Sequence, residues 1–150
     1  MRQRQTALDR EESVAYARRT FATDPNQRRG PMAFKLNHVH LKTTNPEQTA
    51  KFYVETLGAT MLGQAGNGGY RLNLHGVNLN VTNFAENQTR QQVYGMEHFA
   101  LDTDDLDGTV TRLKSNGARV LEEMVSGTGR RICFLEGPDG VQLEIIEVKG

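Results

Sequence analysis

The sequence predicts an α+β fold built from two successive β-α-β-β-β modules, and an internal repeat is the main reason. Leu36 to Leu41 corresponds to Met96 to Leu101, and Gly76 to Val81 corresponds to Gly140 to Ile145. The offset of about 60 residues lies in the range where a repeat dictates architecture. Both halves also have the same order of alternating and helical patterns, so each half is expected to form one module.

The first module is predicted to begin with a strand over 34–42, where apolar and polar side chains alternate. Asn45 and Pro46 mark a helix start, and Gly58 marks its end. Three further strands are expected, two of them joined by a turn at His75-Gly76. Their predicted ranges are 60–64, 70–74 and 77–83.

The second module repeats this order after a polar linker over 84–94. We expect a strand over 95–103, then a helix capped by Asp104 and closed by Asn116-Gly117. Three strands should follow, with Pro138-Asp139-Gly140 as the turn between the last two. Their predicted ranges are 119–125, 130–136 and 141–148.

Residues 1–31 differ from the rest and are interpreted as an N-terminal extension that could hold one short helix, with the main domain over 32–150. The net charge is zero, which gives no global attraction to nucleic acid or to anionic membranes. Cys133 is the only cysteine, so no intrachain disulfide is possible, and no apolar run has membrane-spanning length. We therefore expect a soluble cytoplasmic protein without nucleic-acid or membrane partners.

The repeat places His38 and His98 at equivalent positions, and Glu144 lies in a strand that otherwise appears buried. A histidine in a strand is more often a packing residue, but this coincidence favours a metal site, because a buried carboxylate needs a partner. Two imidazoles and one carboxylate leave open positions that suit Fe, Mn, Ni, Zn or Co as a divalent ion. The position equivalent to Glu144 is Asn80, a poor ligand, so three protein ligands are expected.

Other polar residues share the faces of these strands. His40 lies on the face of His38 and is a candidate general acid/base with a pKa near neutrality, or else a packing residue. The hairpin offers a polar wall that could bind a polar or anionic substrate, with Arg71 as the anion clamp, or could be an exposed sheet face. The candidate substrate-binding residues are Arg71, Asn73, Asn78 and Asn80. Arg130-Arg131 follows Gly127-Thr128-Gly129, which could be a flexible loop that closes over a ligand but is interpreted as a solvated turn.

The chain resembles the vicinal-oxygen-chelate superfamily, also called the glyoxalase/bleomycin-resistance/extradiol-dioxygenase group. The matching stretches span nearly all of 34–148, and two of them are specific in combination: Phe52-Tyr53 with Leu57-Gly58, and Pro138-Asp139-Gly140 with Glu144. The resemblance implies paired modules that form an open, partly closed mixed barrel around a divalent metal. It also implies that the first-, fifth- and last-strand ligands are His38, His98 and Glu144.

The function predicted on this basis is a metal-dependent enzyme that chelates a small oxygen-rich substrate and stabilises an enolate-like intermediate, as a lyase or isomerase. His40 and Glu144 are its candidate catalytic residues. One alternative is an Fe(II) 2-His-1-carboxylate dioxygenase, and another is a metal-free protein that binds a small molecule such as an antibiotic. Glyoxalase I members resembling this chain usually have Glu or Gln where Asn80 stands. A homodimer is expected, with the site either within one chain or shared between two.

Overall fold

The computed structural model describes residues 34–149, and these residues form eight strands and two helices. A short 3₁₀ turn, Pro138–Gly140, precedes the last strand. The elements of the first half are β1 (Lys35–Lys42), α1 (Pro46–Leu57), β2 (Thr60–Ala65), β3 (Gly69–Leu74) and β4 (Val77–Thr82). Those of the second half are β5 (Gly95–Thr103), α2 (Leu106–Ser115), β6 (Arg119–Val125), β7 (Arg131–Glu136) and β8 (Gln142–Glu147).

All eight strands belong to one mixed sheet with the order β2-β3-β4-β1-β5-β8-β7-β6. The two modules meet where β1 and β5 pair in antiparallel orientation. Within each module the first and last strands are parallel, β1 with β4 and β5 with β8. Since β2 and β6 pair on one side only, the sheet is not a fully closed barrel. The predicted α+β fold of two paired modules is confirmed, and both modules come from one chain.

Each module has a core between its helix and one face of its sheet. In the first module this core includes Ala50 of α1 and the sheet residues Leu72, Leu79 and Val81. In the second module Leu106 of α2 packs with Cys133, Leu135 and Ile145. Successive strand residues point to opposite faces. Asn80 and Glu144 therefore face away from the helices, on the side where the candidate site lies.

The two helices begin with the same set of hydrogen bonds, which satisfy backbone N–H groups of the first turn. The Asn45 side chain accepts from the Gln48 N–H at 3.0 Å, and the Asp105 side chain accepts from the Gly108 N–H at 2.9 Å. The prediction that Asp104 caps the second helix is therefore wrong. Asp105 has the extended backbone of a cap, with φ −134° and ψ 87°, and lies 60 residues after Asn45.

The predicted end of α1 at Gly58 is confirmed, because Gly58 has the left-handed conformation with φ 70° and ψ 25°. The predicted strand bounds agree with the structure to within one residue. The proposed extension, its short helix and the boundary after residue 31 lie outside the described residues. Within residues 34–149, neither helix has the length and apolar character that a membrane span requires.

Candidate metal centre

The three central strands β1, β5 and β8 bring His38, His98 and Glu144 together within one chain. Glu144 Oε2 lies 3.0 Å from His98 Nε2 and 3.5 Å from His38 Nε2. All three residues are buried, with 8%, 2% and 8% of their surfaces exposed. Two nitrogens and one carboxylate oxygen thus point to a common space at the junction of the modules.

His38 Nε2 is a buried polar atom without a hydrogen-bond partner among the described residues. Such an atom costs free energy unless another group satisfies it. Burial, the largest effect, lowers the pKa of His38 to about 4, and the charge of Glu144 opposes this only in part. The ring is therefore neutral at neutral pH, which is the form that binds metal ions. This donor set fits a divalent transition metal.

Two β-bulges orient the histidine rings, and they occupy equivalent positions in the repeat. The register of β1 against β5 shifts between Leu36 and His38 and again between His40 and Leu41. The extra residues are Asn37 on β1 and Glu97 on β5. Asn37 Oδ1 lies 2.8 Å from His38 Nδ1, and Glu97 Oε2 lies 3.0 Å from His98 Nδ1. An oxygen acceptor fixes a proton on Nδ1 and leaves Nε2 for a ligand.

The two bulge residues differ in charge and in their own support. The Asn37 amide is neutral and donates to Asp102 at 2.8 Å. Glu97 accepts from the guanidinium of Arg90 at 3.1 Å, and both side chains of this pair are fully buried. Burial opposes ionisation of Glu97, but hydrogen bonds from His98 and Arg90 and the Arg90 charge lower its pKa below the ordinary value. The hydrogen-bond partner of His98 Nδ1 is therefore anionic, whereas that of His38 Nδ1 is neutral.

Arg90, in the linker over 84–94, contacts residues beside this centre. Its guanidinium donates to Gln142 at 2.8 Å and lies 3.9 Å from the centre of the Phe134 ring. The linker is also fixed by Thr89, whose N–H and hydroxyl both donate to Glu122. Sequence reasoning took 84–94 as a polar loop and missed Arg90 and Glu97. The one available signal was the equivalence of Glu97 with Asn37 in the repeat.

His40 lies beside His98 rather than at the edge of the site, because these two residues are directly paired in the sheet. Their ring centres are 4.7 Å apart, and nitrogens of His38, His40 and His98 all lie within 4.8 Å of one another. His40 Nε2 is 2.8 Å from Thr82 Oγ1, which itself donates to the Asn83 carbonyl. With the Thr82 hydroxyl proton directed to Asn83, the hydroxyl oxygen accepts from Nε2–H of His40; this assignment leaves Nδ1 unprotonated.

The pKa expected for His40 is wrong for this environment. Burial, together with the neighbouring His98 and Lys42 charges, lowers its pKa to about 2 instead of leaving it near neutrality. Burial also opposes protonation of His98, but hydrogen bonds and charge from Glu144 and Glu97 outweigh it and raise the His98 pKa. Of these three histidines, His98 is therefore the one whose protonated form the surroundings favour.

The predicted polar wall is present, with one exception. Arg71, Asn78 and Asn80 line one cavity of about 300 Å³ together with His38. Asn73 is not part of this lining. Its side-chain oxygen Oδ1 accepts from the Gly76 N–H at 2.9 Å, and its side-chain Nδ2 donates to Oδ1 of Asn78. Asn73 thus stabilises the hairpin turn, a use of asparagine that is common in tight turns.

The opposite wall of the site is apolar. Ala100, Ile132, Phe134 and Ile146 form a buried cluster on the same face as Glu144.

Asn80 is aligned with His40 in the parallel pair of the first module, as Glu144 is aligned with Ala100 in the second. The sheet register thus agrees with the equivalence of Asn80 and Glu144 that the repeat indicates.

Comparisons with known proteins identify relatives over this part of the chain. A model of the Glyoxalase/Bleomycin resistance protein/Dioxygenase superfamily matches residues 35–145. A lactoylglutathione lyase of Salmonella typhimurium is 29% identical over 128 residues, which cover 77% of this chain and 93% of that relative.

Solved structures share the fold. A hypothetical protein from Bacillus halodurans superposes with a TM-score of 0.62 at 21% identity, covering 79% of this chain and 96% of that one. Methylmalonyl-CoA epimerase from Mycobacterium tuberculosis superposes with a TM-score of 0.59 at 20% identity, covering 77% and 88%. At these identities the likeness concerns the fold alone.

Proposed function

Because the chain belongs to the glyoxalase/bleomycin resistance protein/dioxygenase superfamily, we propose that it is a divalent-metal-dependent enzyme of lyase or isomerase type. Its substrate would be a small oxygen-rich molecule, and its ligands would be His38, His98 and Glu144. The observation that carries the proposal is the position of Glu144 Oε2, close to both Nε2 atoms while His38 Nε2 has no hydrogen bond among the described residues. The donor set is compatible with Fe, Mn, Ni, Zn or Co.

The ion would act as a Lewis acid toward the substrate oxygens. The protein's own part is to hold and move a proton beside it. His40 Nδ1 is the candidate base, because Thr82 holds the only proton of the neutral ring on Nε2. The lowered pKa keeps His40 unprotonated at neutral pH, at the cost of a smaller driving force for proton abstraction. Glu144 contributes the negative charge of the ligand set.

Lyase or isomerase chemistry is favoured over other classes because a relative of this chain is a lactoylglutathione lyase and a protein of the same fold is an epimerase. An epimerase must remove and return a proton at one carbon, and a base beside a chelated substrate suits that task. We extend the type of chemistry to this chain but not the substrates named, because the identities are low.

Metal-binding calorimetry on two histidine variants tests the ligand set. We expect the wild type to bind about one ion per chain. His98→Asn should weaken this binding by more than the roughly 10- to 100-fold that loss of an outer-sphere partner costs. His75→Asn is the matched control, since His75 lies in the β3–β4 turn with φ 51°, which asparagine tolerates. If the wild type binds no ion, a metal-free binding protein becomes the better account.

Proton exchange tests the reaction class. The metal-loaded protein should replace the hydrogen next to the carbonyl by deuterium in a panel of 2-hydroxy and 2-keto compounds in D₂O, as followed by NMR. His40→Asn should slow this exchange by about 100-fold or more, in line with the usual contribution of a general base. Exchange at the wild-type rate in His40→Asn would contradict the role proposed for His40.

An Fe(II) dioxygenase is the second candidate. The set of two histidines and one carboxylate is the ligand pattern of non-haem Fe(II) oxygenases, and Asn80 stands where a fourth carboxylate ligand would lie. Oxygen uptake that requires Fe(II), and is absent with Ni(II) or Zn(II), would favour this candidate over a lyase or isomerase.

A homodimer and a cytoplasmic location are also part of the proposal. Sedimentation analysis of the full chain over a range of concentrations tests the dimer, which should have twice the 16.8 kDa mass of one chain. Fractionation of cells that express the protein tests its location. The expected binding partner is a small-molecule substrate, and neither nucleic acid nor membrane is needed by this mechanism.

A further inference from the structure

A cavity at the junction of the two modules adjoins the candidate metal centre. It has a volume of about 300 Å³ and takes its lining from both modules, including His38, Arg71 and Asn80 from the first and Arg130 and Ile146 from the second. The volume is at the lower end of the range for small-molecule sites. Since His38 belongs to both the cavity and the candidate ligand set, a molecule bound in the cavity could also contact the metal ion.

This cavity carries excess positive charge. Arg71 and Arg130 are exposed at its rim, and neither forms an ion pair with any residue in the range 34–149. No aspartate or glutamate contributes to the lining within that same range. Among the lining residues in that range, the two guanidinium groups therefore have no carboxylate to neutralise them, and the uncharged amide of Asn80 does not change this balance. The complementary ligand group is an anion with several oxygens.

The equivalent cavity of the second module provides an internal comparison. It adjoins His98, has a volume of about 650 Å³, and also contains two arginines, Arg90 and Arg119. Both of these are neutralised, Arg90 by Glu97 at 3.1 Å and Arg119 by Glu136 at 3.0 Å. Among the described residues that line these two cavities, only those on the side of His38 include arginines that are not paired with carboxylates.

The turn that carries Arg130 is well organised. The Ser126 N–H donates to the Arg130 carbonyl at 2.8 Å, and the Gly129 N–H donates to the Ser126 carbonyl at 2.8 Å. The Arg130 N–H donates to the Ser126 hydroxyl at 3.0 Å. These hydrogen bonds fix the backbone of Arg130 before a ligand arrives, which reduces the backbone entropy lost on binding. Gly127 to Arg130 are exposed, in agreement with the solvated turn that the sequence predicts.

We propose that Arg71 and Arg130 form an anion subsite for the substrate of the metal centre. The substrate class is then a small molecule with two kinds of oxygen group. One pair of oxygens chelates the metal, and a separate carboxylate or phosphate arm contacts the two guanidinium groups. This inference rests on the proposed function, because it assumes a metal ion held beside His38.

Matched chelating probes test the subsite. Butyrohydroxamate carries a metal-chelating group and an uncharged tail, whereas succinomonohydroxamate carries the same chelating group and a carboxylate. We expect the metal-loaded wild type to bind succinomonohydroxamate about 10-fold more tightly in calorimetry, since a hydrogen bond to a charged group contributes about 1.5 kcal/mol or more. A third probe carries a phosphonate in place of the carboxylate of succinomonohydroxamate. If the phosphonate probe binds more tightly, the anionic group of the substrate is phosphate-like; if the carboxylate probe binds more tightly, it is carboxylate-like.

Substitution of the arginines completes the test. Arg71→Gln and Arg130→Gln should each reduce the preference for the anionic probe and leave the affinity for butyrohydroxamate unchanged. Arg119→Gln is the control and should retain the full preference. The subsite is refuted if the wild type binds charged and uncharged probes equally, or if the preference survives both substitutions. If neither hydroxamate binds the protein in the presence of metal, the proposed function itself fails.

Discussion

At the scale of single residues, the orientation of the two histidine rings is the feature that makes a metal site possible. Each ring has its Nδ1 atom engaged by the bulge residue before it, Asn37 or Glu97, so each Nε2 points toward Glu144. A histidine whose second nitrogen is held by an oxygen acceptor is a better-oriented and more basic ligand. Glu97 should matter more than Asn37, because it is anionic and is held by Arg90.

Glu97→Gln should therefore weaken metal binding roughly 10- to 100-fold, the usual cost of losing an outer-sphere carboxylate. The substitution keeps an oxygen acceptor near His98 but removes the charge. Glu136→Gln is the control, because Glu136 pairs with an exposed arginine and forms no hydrogen bond with His38, His98 or Glu144. Calorimetry measures the affinity, and thermal unfolding confirms that both variants fold. Unchanged affinity in Glu97→Gln would contradict the role given to this residue.

The pH dependence of stability follows from the buried histidines. In the metal-free protein, burial lowers the pKa of His38 to about 4 and that of His40 to about 2, both below the ordinary histidine value of 6.5. Between about pH 6.5 and about pH 4 the unfolded chain therefore binds more protons at these two sites than the folded chain does, so stability falls as pH decreases. His98 has a raised pKa and opposes this trend, since its contribution is lost as pH rises.

We expect the free energy of unfolding of the metal-free protein to decrease as the pH falls from about 6.5 to about 4, because the effect of His98, whose pKa is raised, falls mainly above this range. Urea denaturation at a series of pH values measures it. His40→Asn should flatten the profile by removing the more strongly shifted group. An identical profile in wild type and His40→Asn would show that the buried environment of His40 has been misjudged.

At the scale of elements, the repeat includes the helix caps as well as the strands. Thr43, Asn45 and Thr49 make the same contacts as Thr103, Asp105 and Thr109: each pair of threonine hydroxyls is hydrogen-bonded, at 2.8 and 2.9 Å, and each cap residue accepts from an N–H three residues later. All three pairs are 60 residues apart. The same offset that relates His38 to His98 would have pointed to Asp105 as the cap, rather than Asp104.

The cap assignment can be tested directly. Asp105→Ala should lower the free energy of unfolding by about 1 kcal/mol, because it leaves the Gly108 N–H without its partner. Asp104→Ala should change it by less than about 0.5 kcal/mol, as is usual for a surface substitution. Metal affinity should stay constant in both, since α2 covers the face opposite the site. Equal destabilisation by the two substitutions would refute the assignment.

The β-bulges explain why part of the site escaped sequence reasoning. Strict alternation along β5 would place Glu97 on the face opposite His98. The extra residue in the bulge instead lets Glu97 and His98 make contact, and the same happens with Asn37 and His38. Alternation was enough to predict His38, His98 and Glu144, because these residues follow the regular pattern. Bulges and long-range partners such as Arg90 depend on tertiary packing.

At the scale of the whole molecule, the pairing of β1 with β5 places all three candidate ligands in one chain. The sequence left open whether the site is shared between two chains. A mixing experiment tests the intrachain arrangement: His38→Ala and Glu144→Ala chains, unfolded and refolded together, should recover no metal binding, because every chain lacks one ligand. Recovery of a fraction of the sites would indicate exchange of modules between chains.

The central claim is that one divalent ion is bound by His38, His98 and Glu144 of the same chain. Anomalous diffraction from crystals of the metal-loaded protein tests it most directly. We expect one peak per chain, about 2.0–2.2 Å from the Nε2 atoms of both histidines and from a carboxylate oxygen of Glu144. A peak bound by other residues, or no peak in protein shown to be folded and supplied with metal, would contradict it.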